Sequence, residues 1–161
     1  MMPRAQRFVT GLPESPLPGV SPAQWERFVK ALEVQPVDAV SDSGGLGCYD
    51  MRSRRLVELG YASNLRSVRA PSGRQISVCD FALPWTLRRF LTDPVAQYAA
   101  LVKSMKDYHQ ALTSGELNKS QDASLSGTMA VLHLGGRGAL RAWPNLFENT
   151  RRLYDATREV F

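Results

Sequence analysis

The stretch of sequence that most constrains the fold is residues 92–112, TDPVAQYAALVKSMKDYHQAL. Apolar and aromatic side chains recur in it every three or four positions, which is the spacing of one face of an α-helix. Thr92 or Asp93 can cap the first turn, Pro94 suits that turn, and Gly115 ends the helix. The sequence therefore predicts a long helix whose buried stripe consists of Val95, Tyr98, Val102, Met105, His109 and Leu112.

Five shorter segments are also predicted to be helical. Ser21 and Pro22 can begin a helix in SPAQWERFVKALEV, whose apolar face consists of Trp25, Phe28, Val29 and Leu32. MRSRRLVEL is predicted to end at Gly60, and LPWTLRRFL to form another short helix. SLSGTMAVLHLGG is almost entirely apolar, so we expect this helix to be buried. NLFENTRRLYDATREVF is predicted to begin at a capping pair formed by Asn145 and Glu148.

One segment has the character of strands instead. Residues 65–81, LRSVRAPSGRQISVCDF, contain Val68, Ile76 and Val78 on either side of a Pro-Ser-Gly turn, which predicts a β-hairpin. The length of 161 residues and the hydrophobic fraction of 43% are typical of one ordinary globular domain. We therefore predict a mainly α (α+β) fold with one small β-hairpin.

The N-terminal residues differ from the rest in composition. Residues 1–20 contain four prolines and two glycines, which predicts an extended arm outside the core, followed by a single helical domain over residues 21–161. An arm of this kind is ordered more easily against a protein partner, which favours a larger assembly. No apolar run is long enough for a membrane span or for a secretory signal. After synthesis in the cytoplasm, we expect any export to follow another route.

The charge of the chain restricts its partners only weakly. Its formal net charge is +5, and the basic residues are mostly arginines scattered along the sequence. Nucleic acid, an anionic polymer such as a cell-wall glycan with acidic peptides, and a merely solvated surface all remain compatible with this charge. Because no dense basic block is present, we do not expect nucleic acid to be the partner.

The two cysteines give little indication of a metal or a cofactor. No CxxC pair or Cys/His cluster accompanies Cys48 and Cys79, so we expect no zinc site and no cofactor. Two free thiols are the favoured interpretation, and a disulfide between them stays an alternative.

The glycine-rich stretch SGGLGCYDM follows the first predicted helix. A phosphate-binding loop would need a lysine after its glycines, and none follows here. A dinucleotide-binding fingerprint would need a strand before the loop and a helix after it, whereas this loop follows a helix. Neither kind of nucleotide site is therefore expected.

Glu33 lies at the C-terminal end of that first helix. The negative end of the helix dipole opposes ionisation of a carboxyl group at this position. Partial burial beside Trp25 and Val29 would act in the same direction. These conditions favour a glutamic acid that stays protonated and donates a proton, although a solvated glutamate at the rim of the helix is the alternative.

These motifs occur in an order that resembles the lysozyme-like domains of phage tails and bacterial cell-wall enzymes, which are relatives of lytic transglycosylases and goose-type lysozymes. In that family a helix-terminal glutamate precedes a loop of the form G-x-L-G-x-Y-Q-M, then F-L-x-x-P-x-x-Q and an H-L-x-G-like turn. The resemblance covers residues 25–140. The matching residues are Glu33, Gly45, Leu46, Gly47, Tyr49, Met51, Pro94, Gln97, His133, Leu134 and Gly136.

The resemblance implies an activity and a site. It implies cleavage of the β-1,4 bond between N-acetylmuramic acid and N-acetylglucosamine in peptidoglycan, with Glu33 as the catalytic acid. The implied location is a phage tail or a similar delivery particle. The implied substrate-binding residues are Gly45, Leu46, Gly47, Tyr49, Asp50, Met51 and His133. A second carboxylate, where one is used, would come from Asp38, Asp42 or Asp50.

Two positions depart from the family pattern. Val34 follows the glutamate where the family has serine, and Asp50 stands where the family has glutamine. Both lie in the implied cleft. The sequence therefore favours an enzyme and leaves one alternative open, a catalytically inactive lysozyme-like module of a tail or baseplate.

Overall fold

A computed structural model describes residues 14–161. Residues 1–13, which make up most of the predicted arm, lie outside the described residues. The elements in chain order are α1 (Pro22–Leu32), α2 (Ser53–Glu58), β1 (Ala62–Arg69), β2 (Gln75–Phe81), α3 (Leu87–Leu91), α4 (Pro94–Thr113), α5 (Leu125–Ala142) and α6 (Glu148–Thr157). Six helices and one antiparallel hairpin in this part of the chain confirm a mainly α fold with a small β-hairpin.

Contacts between Cα atoms divide the chain into two compact units. Within the described residues, the first unit is Glu33–Lys103, and the second consists of residues 14–32 with Ser104–Phe161. The first unit contains α2, the hairpin, α3 and the first half of α4. The second contains α1, the second half of α4, α5 and α6.

Side-chain caps fix the start of several helices. The Ser21 hydroxyl accepts from the Gln24 backbone N–H at 3.1 Å, and the Gln24 side chain accepts from the Ser21 N–H at 2.9 Å. This reciprocal capping box confirms Ser21 as the cap of α1. Asp93 caps α4, because its Oδ1 accepts from the Ala96 N–H at 3.0 Å. The Asn145–Glu148 pair predicted for α6 is wrong: the N-cap is Phe147, without a side-chain cap.

The hairpin of the first unit begins three residues earlier than predicted. Ala62 pairs with Phe81 and Arg69 with Gln75, and the register shifts between Ser63 and Arg66. Asn64 lies in this irregular stretch and has a φ of 55°. Asparagine tolerates the left-handed region better than most residues do, so it suits the bulge.

The core of the second unit is built around α5. The segment Ser126–His133 is buried throughout, which confirms the prediction of a buried apolar helix. Gly127 faces the Tyr154 ring of α6, where a Cβ would lie only 2.4 Å from a ring carbon. The helix then breaks at Gly136, whose φ of 65° and ψ of −165° are not helical. Beyond this break it continues to Ala142.

Two predictions about buried side chains are wrong, the first only in part. In the predicted stripe of α4, Met105 and His109 are buried but Val95 is 56% exposed. The buried side chains of α4 also include Gln97, Leu101 and Tyr108. The predicted stripe followed apolar residues alone, whereas the buried face includes a polar glutamine. In the described part of the predicted arm, Leu17 and Val20 are buried, so this short stretch contributes to the core.

Candidate functional site

The glycine loop, residues 41–51, belongs to the first unit and is held in a tight fold by its own backbone. Leu46 and Met51 exchange two N–H···O bonds of 2.9 Å, and the Gly47 N–H donates to the Ala39 carbonyl at 2.9 Å. Gly47 has a φ of 72° and Asp50 a φ of 53°. The first conformation suits glycine, and the second is one that aspartate adopts more readily than most residues. The loop therefore turns sharply at both positions.

The side chain of Gln97, in α4, forms hydrogen bonds that hold the glycine loop in place. This side chain is fully buried, and its Oε1 accepts from the Cys48 N–H at 3.0 Å. Its Nε2 donates to the carbonyl oxygens of Val37 and Phe90, both at 2.8 Å. One amide thus binds three backbone groups, of which the Phe90 carbonyl also accepts from the Asp93 N–H at 3.3 Å. A Cβ on Gly47 would lie 2.3 Å from the Gln97 Oε1, so this contact requires glycine.

Asp50 has a comparable role on the other side of the loop. Its Oδ1 accepts from the Ser41 hydroxyl at 2.7 Å, and its Oδ2 pairs with the Arg52 guanidinium at 3.1 Å. A Cβ on Gly45 would lie 1.7 Å from Asp50 Oδ1, so the second glycine is required as well. With 7% of its surface exposed, Asp50 is a structural carboxylate of the loop.

Arg52 extends this polar contact to the preceding turn. It donates to the Ser43 carbonyl at 3.3 Å as well as to Asp50. Burial lowers the pKa of its guanidinium, an effect that Asp50 opposes and the nearby charge of Arg74 reinforces. The ion pair with Asp50 therefore offsets part of the cost of burying this cation.

Gln35 is a further contact that the sequence did not reveal. Its Nε2 donates to the Gly47 carbonyl at 2.7 Å and lies 3.4 Å from the Gly45 carbonyl. A single glutamine two residues after Glu33 carries no periodicity or motif that would single it out. The match of Gln97 to the family pattern was the only signal for the other glutamine.

Glu33 lies against this loop. It directly follows the last residue of α1, and both of its carboxylate oxygens are buried. The Val34 N–H donates to the Cys48 carbonyl at 2.9 Å, which joins the backbone next to Glu33 to the loop. Of the two sequence alternatives, a buried carboxyl group and a solvated one at the rim, the structure has the first.

Cys48 and Tyr49 share the surroundings of Glu33. Burial raises the pKa of the Cys48 thiol to about 12, and the charge of Glu33 adds to this effect. Burial also raises the pKa of the Tyr49 phenol, with further contributions from Cys48, Glu33 and Tyr98. The Glu33 carboxyl group therefore lies close enough to Cys48 and Tyr49, in one region of the first unit, to favour the neutral forms of the thiol and the phenol.

The structure assigns the predicted site residues of the loop an internal role. Gly45 and Gly47 make room for Asp50 and Gln97, and the side chains of Leu46, Tyr49 and Met51 are at most 6% exposed. Tyr49, one of the implied substrate-binding residues, is 1% exposed, and its contact with a substrate stays a prediction. Contact of the loop backbone with a glycan stays a prediction.

His133 belongs to the second unit. It lies in α5, with 3% of its surface exposed, among the buried residues of that helix. This burial agrees with a histidine that serves the core. Its predicted contact with a substrate stays a prediction.

Both cysteines are free thiols, Cys48 buried and Cys79 half-buried, so the disulfide alternative is wrong. Within residues 14–161, no three His, Cys, Asp or Glu side chains are grouped so that they could hold a metal ion. Over the same part of the chain, the helices are all too short or too polar to cross a membrane. Comparison of the chain with protein-family models, with curated proteins and with solved structures found no match in any of the three.

Proposed function

We propose that this chain is a peptidoglycan-cleaving glycosidase of the lysozyme-like class, which cuts the β-1,4 bond between N-acetylmuramic acid and N-acetylglucosamine. The observation that carries the proposal is the buried carboxyl group of Glu33 beside the glycine loop. Burial disfavours a charged carboxylate, and a neutral carboxyl group is the form that can protonate a leaving oxygen. The family resemblance of the loop supports the same assignment.

The proposed reaction begins when Glu33 donates its proton to the glycosidic oxygen as the bond to the sugar breaks. In the one-carboxylate variant, the resulting carboxylate then takes a proton from the sugar hydroxyl that closes the ring of the product. In the two-carboxylate variant, another acid activates water. Asp50 is poorly suited to that role because Ser41 and Arg52 bind its oxygens, whereas Asp38 and Asp42 are exposed.

The proposed partners are glycan strands of the cell wall and, for residues 1–20, a protein of a phage tail or a similar delivery particle. A net charge of +5 supports the first of these, because peptidoglycan carries acidic peptides. Arginine-rich surfaces attract such a polymer over a distance of about one Debye length, roughly 10 Å at moderate salt.

A specific observation also favours a second candidate, a catalytically inactive lysozyme-like module of a tail or baseplate. The side chains of Leu46, Tyr49 and Met51 in the glycine loop are buried, and Asp50 replaces the glutamine of the family with an internal ion pair. A loop whose side chains are buried in this way would serve as a structural element even if it binds no substrate.

Release of soluble material from dye-labelled sacculi tests the proposal. We expect the wild type to release dye and Glu33→Gln to release none, because the amide cannot donate a proton of comparable acidity. Glu58→Gln is the matched control, since Glu58 is an exposed carboxylate of the same unit that pairs with Arg55. Circular dichroism should show that both variants keep the fold.

The possible outcomes separate the two candidates. If a folded wild type releases no dye over a range of pH and salt, the inactive module is correct and the glycosidase proposal fails. If Glu33→Gln retains wild-type release, the chain cuts the wall without Glu33, and the assigned mechanism fails.

A further inference from the structure

A cavity of about 680 Å³ lies within the second unit. One wall is apolar and is formed by Pro16, Leu17 and Pro18 together with Leu125 of α5. The opposite wall is a face of α4, from which Lys106, His109, Gln110 and Thr113 line the cavity. Sites for small molecules have this size and this combination of apolar walls with a few polar groups.

His109 is the buried polar group of this cavity. It is only 7% exposed, and its side chain lines the cavity. The two ring nitrogens of an imidazole can donate or accept a hydrogen bond, so His109 offers a polar contact to a molecule bound there. Burial lowers the pKa of the imidazole, which keeps it neutral and able to donate one hydrogen bond and accept another.

Lys106 supplies the charge at the rim of the cavity. Its side chain is exposed, and its ammonium group forms no ion pair or hydrogen bond with the residues the structure describes. It lies one helical turn from His109 on the same face of α4, so both reach the same end of a ligand. Among residues 14–161, none of those that line the cavity is acidic. The charge of the site is therefore complementary to an anion.

We propose that this cavity binds a small apolar molecule that carries one anionic group, a carboxylate or a sulfonate, attached to an aromatic or aliphatic body. The body lies against Pro16, Pro18 and Leu125, and the anionic group lies between Lys106 and His109. The site belongs to the second unit alone and is independent of the glycosidase proposal.

A pair of fluorescent probes tests the site with the full chain. 1-Anilinonaphthalene-8-sulfonate has the proposed chemistry, and N-phenyl-1-naphthylamine is its uncharged counterpart. We expect the wild type to bind one molecule of either probe, with brighter emission. Lys106→Glu should weaken binding of the sulfonate about tenfold, since it replaces an attraction by a repulsion of similar size, and leave the uncharged probe unchanged.

Two further variants make the result specific. Lys119→Glu makes the same charge change at an exposed lysine that does not line the cavity, and it should leave both probes unchanged. His109→Phe keeps a ring of similar shape but removes the hydrogen bonds, so it should weaken the sulfonate more than the uncharged probe. Thermal unfolding of each variant shows whether it is folded, and Lys106→Glu keeps the test decisive if His109→Phe does not fold.

Three results would overturn the proposal. One is a folded wild type that brightens neither probe at concentrations up to the millimolar range. Another is equal loss of sulfonate binding in Lys106→Glu and Lys119→Glu, which would indicate a general charge effect. The last is equal weakening of both probes by Lys106→Glu, which would mean that the lysine does not bind the anionic group.

Discussion

The glycine loop of the first unit and the α5–α6 pair of the second unit are both buried, but different interactions hold them. In the loop, the side chains of Gln35, Asp50 and Gln97 bind backbone or side-chain groups over distances of 2.7 to 3.1 Å. Between α5 and α6, Val131 and Tyr154 pack in one apolar core cluster, and the Ser126 hydroxyl donates one hydrogen bond to the Thr157 carbonyl.

This difference predicts how each region responds to substitution. Hydrogen bonds are directional, and a buried donor or acceptor that loses its partner costs more than the bond itself contributes. Apolar contacts are individually weak and are shared among many atoms, so neighbouring side chains relax in part around a change. The loop should therefore be the more sensitive region, although it contains few apolar side chains.

The largest effect is expected for Gly47→Ala. The added methyl would meet the Gln97 Oε1 at 2.3 Å at a φ of 72°, so either Gln97 or the loop must move. We expect a loss of unfolding free energy of about 4 kcal/mol, from overpacking of about 1–3 kcal/mol plus the strain of a left-handed backbone. Denaturation with urea measures this change.

Gly60→Ala is the matched control for that substitution. Gly60 has a φ of 85° in the same unit, but nothing lies within 4 Å of an added Cβ. This variant should lose only the backbone contribution, about 1–2 kcal/mol. Equal losses for the two variants would show that the contact with Gln97 is unimportant.

Gln97→Met should follow, with a loss of about 3 kcal/mol. Methionine has a similar length but cannot bind the Cys48 N–H or the carbonyls of Val37 and Phe90, and each lost hydrogen bond costs about 1 kcal/mol. Gln121→Met, at an exposed position, is the control and should change stability by less than about 0.5 kcal/mol. A loss for Gln97→Met as small as that of the control would mean that the three hydrogen bonds of Gln97 contribute nothing to stability.

Val131→Ala probes the apolar core of the second unit. Val131 is fully buried beside Tyr154, and the loss of two methyl groups should cost about 2 kcal/mol, including the small cavity that remains. This loss is smaller than that of Gln97→Met in spite of complete burial. The reverse order, measured in the same urea series, would contradict the comparison of the two regions.

The ionisation of Cys48 gives a smaller and pH-dependent effect. Because burial raises the pKa of the folded thiol from 9.0 to about 12, the folded state holds this proton more tightly than the unfolded state. The protonated thiol therefore contributes to the free energy of unfolding in full below pH 9. This contribution is lost as the pH rises from 9 to 12, and about 1 kcal/mol of it is lost at pH 10.

Cys48→Ala should remove this part of the pH dependence. The free energy of unfolding, measured at pH 8 and at pH 10, should fall less for the variant than for the wild type. An identical fall in both proteins would show that the thiol ionises equally well in the folded and unfolded chains.

The smallest effect is expected at the surface. Arg152 pairs with Glu148 on α6, where both side chains are at least 76% exposed. Arg152→Ala should therefore change stability by less than about 0.5 kcal/mol, and less still in 1 M salt. A loss comparable with that of Val131→Ala would mean that surface pairs hold α6 in place.

Local rules in the sequence predicted much of the fold. The Ser21 cap, the hairpin around Pro71–Gly73 and the buried segment of α5 each follow from signals a few residues apart. The stripe of α4 was correct for Met105 and His109 but missed Gln97, because a periodic pattern counts apolar residues. Polarity alone does not indicate whether a glutamine has buried backbone groups to bind.

The candidate site was predictable only in part. Glu33 and the glycines stood out by position and composition, and Glu33 is indeed buried beside the loop. The sequence did not show why positions 45 and 47 must be glycine, because the side chains that leave no room for a Cβ lie 5 and 50 residues away. Asp50 occupies the space beside Gly45, and Gln97 occupies the space beside Gly47. Gln35 carried no signal at all. Contacts between distant residues are a property of the folded chain.

The most direct test of the proposed function is mass spectrometry of the products released from purified sacculi. The account predicts soluble fragments cut between N-acetylmuramic acid and N-acetylglucosamine, with an anhydro end for a lytic transglycosylase or a reducing end for a hydrolase. These fragments should be absent with Glu33→Gln and present with Glu58→Gln. Intact sacculi with the folded wild type, or fragments cut only in the peptides, would contradict the account.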